Sequence, residues 1–373
     1  MKRLVYPKLF TPLEMKGLKL KNRITMAPLY LGYATMGGKI SPLMLYHYEE
    51  MAKSGASMIV VENASITTGG SGSPRTIRCD HNRYLPGLEK LARAIKGQKS
   101  RAALQINHAG RFAHVPVPVA PSAVETFGKT PRKLSKQEIT TIQKQFANAA
   151  VRAKRTGFDL VELHGGTGYL LSQFVSPRTN KRTDNYGGTI QRRINFALEV
   201  LKRVKDAVGD YPVGYRFLVD EWLPDGLRNR ESIVLAKALE EQGVAYISAM
   251  GGTYESFFLP EIIKRSKRPG YMTSLANAVK KEVSVPVIAA GRISTPAKAE
   301  SILRDGKADL IGLARMLWVD PEWPKKARKG EDRSILKCSP KCDACFRLVM
   351  KGKPAYCPKW SKERRESYRR LFQ

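Results

Sequence analysis

SKQEITTIQKQFANAAVRAKRTGFDLVELHGG, running from Ser135 to Gly166, contains one helix-then-strand unit with legible start and stop signals. Ser135 followed three residues later by Glu138 is a capping box: each side chain satisfies a backbone amide that the first helical turn leaves without an acceptor. Ile139, Ile142, Phe146, Ala149, Ala150 and Ala153 then recur at helical spacing, so one face of the helix is apolar. Thr156-Gly157 ends it. The run Leu160–Gly166 is mostly apolar rather than alternating, as a strand buried on both faces should be.

Seven further runs of this kind bracket it: Arg23–Pro28, Ser57–Asn63, Ala102–His108, Val213–Val219, Tyr246–Gly252, Pro286–Arg292 and Leu310–Arg315. Helical patterns lie between them. Ser41-Pro42 offers a cap with proline at the first helical position, and Glu231–Glu241 and Pro296–Arg304 read the same way. Eight β/α units in one chain predict the α/β class and a closed (β/α)8 TIM barrel. We expect residues 1–330 to form the barrel and 331–373 a short C-terminal extension holding four cysteines and a basic tail. The extension is too short for a core of its own.

The chain has 373 residues and 42% hydrophobic content, enough for a sizeable core and against wholesale disorder. No stretch approaches the roughly 20 apolar residues of a membrane helix, and the N-terminus lacks the apolar run of a secretory leader. A cytoplasmic enzyme, without membrane association, is expected. Lysine and arginine total 65 against 33 acidic residues, a net charge of +32. The basic residues are spread along the chain and accompany no nucleic-acid motif. A solvated basic surface that attracts anions is therefore favoured over a nucleic-acid binder.

A barrel carries its chemistry on the loops after its strands. Those loops hold Ala27-Pro28-Leu29-Tyr30, Gln105 with His108-Ala109-Gly110-Arg111, His164 to Tyr169, Arg216, Gly251 to Glu255, Gly291-Arg292 and Ala314-Arg315. The last two pairs stand where barrels usually bind a phosphate. No GxGxxG follows a strand, which argues against a Rossmann domain. His47, His81, His114, Cys79, Trp222 and Trp318 are read as packing or loop residues.

Three motifs, LFTPLEMKGLKLKNRITMAP near the start, QINHAGR at Gln105–Arg111 and HGGTGYLLSQFVSPRTNKRTDNYGG at His164–Gly188, resemble the Old Yellow Enzyme family of FMN-dependent oxidoreductases, over about Leu9 to Asp320. The resemblance implies non-covalent FMN. Ala27, Pro28 and Leu29 would line it and Ala64 would lie near the ring. Gln105 would meet the pyrimidine edge, Arg216 would place charge near N1, and Gly291, Arg292, Ala314 and Arg315 would hold the phosphate. It further implies NAD(P)H as electron donor and a small α,β-unsaturated carbonyl or CoA thioester as substrate. His164 would hold the carbonyl oxygen and Tyr169 would supply a proton. Many relatives have His or Asn where Thr167 stands, so the two-donor clamp departs from the family pattern, and Tyr254 is a candidate for the missing donor. A homo-oligomer is expected.

Cys338, Cys342, Cys345 and Cys357 read C-x3-C-x2-C-x11-C. Spacing alone allows iron–sulfur or zinc. The 2,4-dienoyl-CoA reductase and trimethylamine dehydrogenase branch of the family carries a [4Fe–4S] site at this point, with C-x2-C-x3-C-x11-C spacing. On that resemblance a [4Fe–4S] cluster is expected ahead of zinc, and an empty site comes third. Electrons passing through a cluster would be exchanged with a separate protein, for which an acidic electron-transfer partner suits the basic surface. An amine-type dehydrogenase or electron-transfer flavoprotein is therefore the second functional reading.

Overall fold

The computed structural model describes residues 4–372; Met1–Arg3, part of the segment read for a leader, and Gln373 lie outside them. Eight parallel strands close into a barrel: β1 (Ile24–Met26), β2 (Met58–Ser65), β3 (Arg101–Asn107), β4 (Leu160–Gly165), β5 (Val213–Asp220), β6 (Ile247–Gly251), β7 (Val287–Ala289) and β8 (Leu310–Leu313). Each pairs with the next, and β8 pairs with β1 through Ile311 and Ile24 to complete the ring. All eight expected strands are present within a few residues of their predicted bounds.

The connecting helices include α1 (Pro42–Lys53), α2 (Leu85–Lys96), α3 (Lys136–Arg155), α4 (Asn195–Val208), α5 (Asn229–Glu241), α6 (Thr273–Lys280) and α7 (Pro296–Arg304). Both capping-box bonds of α3 are made, and the predicted apolar face is the buried one. Full burial of each large aliphatic or aromatic side chain on that face contributes roughly 1.5–3 kcal/mol. Truncating Phe146, which is wholly buried, is the single change that would weaken this packing most.

The lower end of the barrel is closed by a feature the strand pattern did not predict. A hairpin, Leu13–Met15 with Leu18–Leu20, packs Met15 and Leu20 against Met58, Val60, Ala103, Tyr246, Ile288 and Leu310 in the barrel interior. The upper end stays open for chemistry. His47 proves fully buried on α1, with Nδ1 facing the Tyr368 hydroxyl at 3.1 Å. Cys79 and Trp318 are core residues.

The extension runs back over the barrel and ends in the helix Lys362–Phe372. Ile335, Ala355, Cys357, Trp360 and Tyr368 join the same apolar cluster as the barrel's outer layer. Among the described residues no helix is long and apolar enough to cross a membrane.

Candidate active site at the C-terminal mouth

Strand register sets the site. Parallel pairing places Gln105 on β3 beside Glu162 on β4, and Arg216 on β5 beside His164. Glu162 is fully buried and accepts from Gln105 Nε2 and from the Tyr246 hydroxyl, both at 2.8 Å. Binding the Gln105 amide nitrogen leaves the Gln105 carbonyl oxygen as its free acceptor. Burial pushes the Glu162 carboxyl up, and Arg216, Tyr246 and Gln105 pull it back. Arg216 itself donates to Ser248 Oγ at 2.7 Å.

Ala27, Pro28, Arg216, Gly291, Arg292, Ala314 and Arg315 line one cavity above the strands. They are seven of the ten residues expected to hold a cofactor. Leu29, Ala64 and Gln105 lie outside its lining, Ala64 and Gln105 as buried strand residues. The cavity's 140 Å³ suits the phosphate and adjoining chain of a flavin nucleotide more than its whole length. Its electrostatics favour an anion. No carboxylate lines it, while Arg216, Arg292 and Arg315 all lie close enough to lower the pKa of Tyr271, which burial raises. Arg292 is pushed down by burial and then by Arg315. Glu162 offsets Arg216 from the neighbouring strand, while Arg292 and Arg315 face the cavity with no acid in its lining, a charge excess that an anion relieves.

The backbone is shaped for the same purpose. Gly291 and Arg292 both have positive φ, 102° and 52°. A β-carbon on Gly291 would stand 2.9 Å from the Met272 side chain, so glycine is required there. Ala314 precedes the short helix Arg315–Val319, whose first amides have no intrahelical acceptor. These residues fit an FMN phosphate.

The proposed chemistry residues lie outside the cavity lining, with His164 beside Arg216 in the strand register. His164 Nδ1 accepts from the Gly166 amide at 3.3 Å, so Nε2 carries the proton and is the donor. Burial, then Arg216, lowers its pKa to about 3, which keeps the imidazole neutral. The Tyr169 ring meets it edge-on with centroids 4.9 Å apart. Tyr169 and Tyr254 share a 2.8 Å hydroxyl contact, and burial raises both phenols above their usual range. Both therefore remain protonated at neutral pH.

Thr167 does not join them. Its φ is 60°, a strained conformation for a β-branched residue, and its hydroxyl turns to Met250 Sδ at 3.6 Å. Tyr254, rather than Thr167, is the hydroxyl brought next to the His164–Tyr169 pair. The neighbouring Glu255 is held by Arg111 and Arg178.

The four cysteines of the extension are free thiols. Burial raises Cys357, and charge on Cys338, Cys342 and Cys345 raises it further, so the four lie within electrostatic reach of one another. Cys338 also lines the arginine cavity. Among the described residues, however, no group of three or more His, Cys, Asp or Glu side chains is gathered closely enough to hold a metal ion. The metal site expected from the resemblance is thus not assembled among the described residues.

Sequence reading missed Glu162, Tyr271 and Met272, and it named Cys338 as a metal ligand without placing it at the cavity. Glu162 alone left a signal, an acid in the middle of an otherwise apolar strand. Tyr271 and Met272 reach the cavity through a loop whose path carries no periodicity.

The sequence profile of the NADH:flavin oxidoreductase / NADH oxidase family matches residues 8–333. A metal reductase of Desulforamulus reducens is 42% identical over 356 residues, covering 94% of this chain and 53% of the relative. The chain thus spans about half the length of that relative. An NADPH dehydrogenase of Halalkalibacterium halodurans is 36% identical, with 86% of this chain and 94% of the relative covered. Among solved structures, a 2-naphthoyl-CoA reductase superposes with a TM-score of 0.91 at 29% identity, over 95% of this chain and 57% of that one. Together with the three-arginine cavity at the barrel mouth, these matches establish that the chain belongs to the NADH:flavin oxidoreductase / NADH oxidase family, the Old Yellow Enzyme family.

Proposed function

We propose that this chain is an FMN-dependent oxidoreductase that reduces the activated C=C bond of an α,β-unsaturated carbonyl or enoyl thioester with NAD(P)H. The supporting observation is the neutral His164 Nε2–H beside the protonated Tyr169–Tyr254 pair, with His164 the strand-register neighbour of Arg216, which lines the arginine cavity. FMN, when bound, would supply the hydride chemistry for reduction of the C=C bond. Arg292, Arg315 and the amides after Ala314 would hold its phosphate, and Gln105 and Arg216 would hold its ring, Arg216 offsetting negative charge there. His164 Nε2–H holds the substrate's carbonyl oxygen where enolate charge develops, a contribution of about 3–4 kcal/mol for one such donor. Tyr169 passes its hydroxyl proton to the α-carbon, and Tyr254 restores it from the rim.

Anaerobic stopped-flow tests this reading: reduce the flavin with NADPH or NADH, then mix with a cyclic enone or an enoyl-CoA. Reoxidation within seconds with formation of the saturated product is the expected result. Reoxidation by oxygen or one-electron acceptors but by neither unsaturated substrate would contradict it.

A second reading, an amine-type dehydrogenase or electron-transfer flavoprotein, is favoured by Cys338 lining the flavin cavity while its three companions lie nearby. Four thiolates could bind [4Fe–4S] or zinc once drawn together. Their separation among the described residues does not fit a bound metal, and the reaction proposed above routes no step through one. About four irons per chain after anaerobic purification would favour this second reading, with an acidic protein as electron partner.

A further inference from the structure

The largest cavity at the extension lies outside the flavin site. Its 470 Å³ forms an open cleft between α1, the Arg75 loop, the segment Gly352–Tyr356 and the terminal helix. Among the described residues four cations line it, Arg75, Lys353, Arg365 and Arg369, and no acidic side chain does. None of the four forms an ion pair among the described residues. Arg75 gives one guanidinium nitrogen to the Ala34 carbonyl at 3.0 Å, while its Nε is buried with no partner. A cavity that collects like charges and an unsatisfied guanidinium nitrogen is built for an anion.

The rest of the lining says which kind. Tyr356, Tyr368 and Phe372 contribute aromatic faces, and Arg75 sits over the Phe372 ring, 5.1 Å from its centroid. Phe372 is 43% and Tyr356 38% exposed, so both rings can take a planar partner from solvent. The volume falls in the range of organic-ligand pockets and far exceeds what one phosphate needs. Planar base plus phosphates is the chemistry that uses both halves of such a lining.

We propose that this cavity binds the adenosine phosphate end of a nucleotide-bearing ligand, with the cations on the phosphates and the rings on the base. It communicates with the reaction site by a short path. The Arg75 amide donates to Ser73 Oγ at 3.0 Å, and that hydroxyl bonds Tyr30, whose phenol lies near Tyr254. The inference deepens the reaction proposed above. Two of that reaction's ligands, a CoA thioester and NADPH, end in an adenosine carrying an extra phosphate.

Calorimetric titration of the FMN-loaded full chain with 3′,5′-ADP and with 2′,5′-ADP tests this without turnover. At least one should bind, and the double variant Arg365→Gln/Arg369→Gln should weaken it about tenfold or more. The control Arg93→Gln/Arg304→Gln, at two well-exposed arginines, removes the same charge elsewhere and should leave binding within about twofold. Preference for 3′,5′-ADP assigns the cavity to a CoA ester, and preference for 2′,5′-ADP assigns it to NADPH. Failure of both to bind, or binding that survives the Arg365/Arg369 change, overturns the proposal. Enone reduction is read in the separate stopped-flow assay, so loss of either idea is distinguishable from loss of the other.

Discussion

Replacing Glu162 with glutamine isolates what one buried carboxylate does for the flavin cavity. Glu162 accepts two 2.8 Å hydrogen bonds, from Gln105 and Tyr246, and its charge keeps Arg216 protonated against the effect of burial. Glutamine has nearly the same shape but one acceptor oxygen and no charge. One charge-assisted bond is lost, worth about 1.5–3 kcal/mol, together with part of the compensation for Arg216. The expected destabilisation is about 2–4 kcal/mol. An unfolding entropy of roughly 2.1 cal/mol/K per residue amounts to about 0.8 kcal/mol/K for a chain of this length, so the melting temperature should fall by about 3–5 °C. Arg216, freed of its negative neighbour, acts more strongly on the bound flavin, whose reduced form is anionic. The two-electron potential should therefore rise, by about 20–40 mV if about 1–2 kcal/mol of compensation is removed. Scanning calorimetry and anaerobic dye equilibration read the two effects. A variant that melts within about 1 °C of the parent, or whose potential moves in the negative direction, refutes Glu162 as the counter-charge of Arg216.

Tyr169→Phe should slow substrate reduction by about 10²–10⁴-fold while flavin reduction by NAD(P)H changes little; equal losses in both half-reactions would count against its role as proton donor. Arg315→Ala should weaken FMN binding by about 1.5–3 kcal/mol, read as flavin retained on dialysis. His47, His108 and His164 are held by burial at about 3, 4 and 3, below the unfolded value near 6.5. Their contribution to stability is complete above pH about 6.5 and is lost as pH falls toward those values. The three together give a slope approaching about 4 kcal/mol per pH unit, from which the carboxyls that burial raises, Glu62 at about 8 with Glu162 and Glu221, subtract. Imidazole proton NMR signals of these three histidines that titrate between about pH 6.5 and 5 would contradict the burial of neutral imidazoles.

The barrel was legible because its signals are local. Continuous apolar runs mark all eight strands, and the Ser135–Glu138 box marks where α3 begins. The plugging hairpin was not, since two three-residue strands carry too little alternation to stand out. Tertiary packing decided the rest. Trp360 and Tyr368 sit in a strongly basic tail yet enter the core, and His47 is buried by a helix more than 300 residues away in sequence. The site's identities came from loop motifs, but orientations did not. That Thr167 turns to Met250 and Tyr254 meets Tyr169 follows from how two loops cross, a relation between β4 and β6 that neither segment encodes alone.

The flavin content of the purified protein tests the central claim most directly. Denaturation should release one FMN per chain, and the Arg292→Ala/Arg315→Ala double variant should purify with little or none while keeping its fold by circular dichroism. Wild-type protein that neither purifies with flavin nor takes up added FMN, or a double variant that retains full flavin, would contradict the assignment of the three-arginine cavity as the cofactor site.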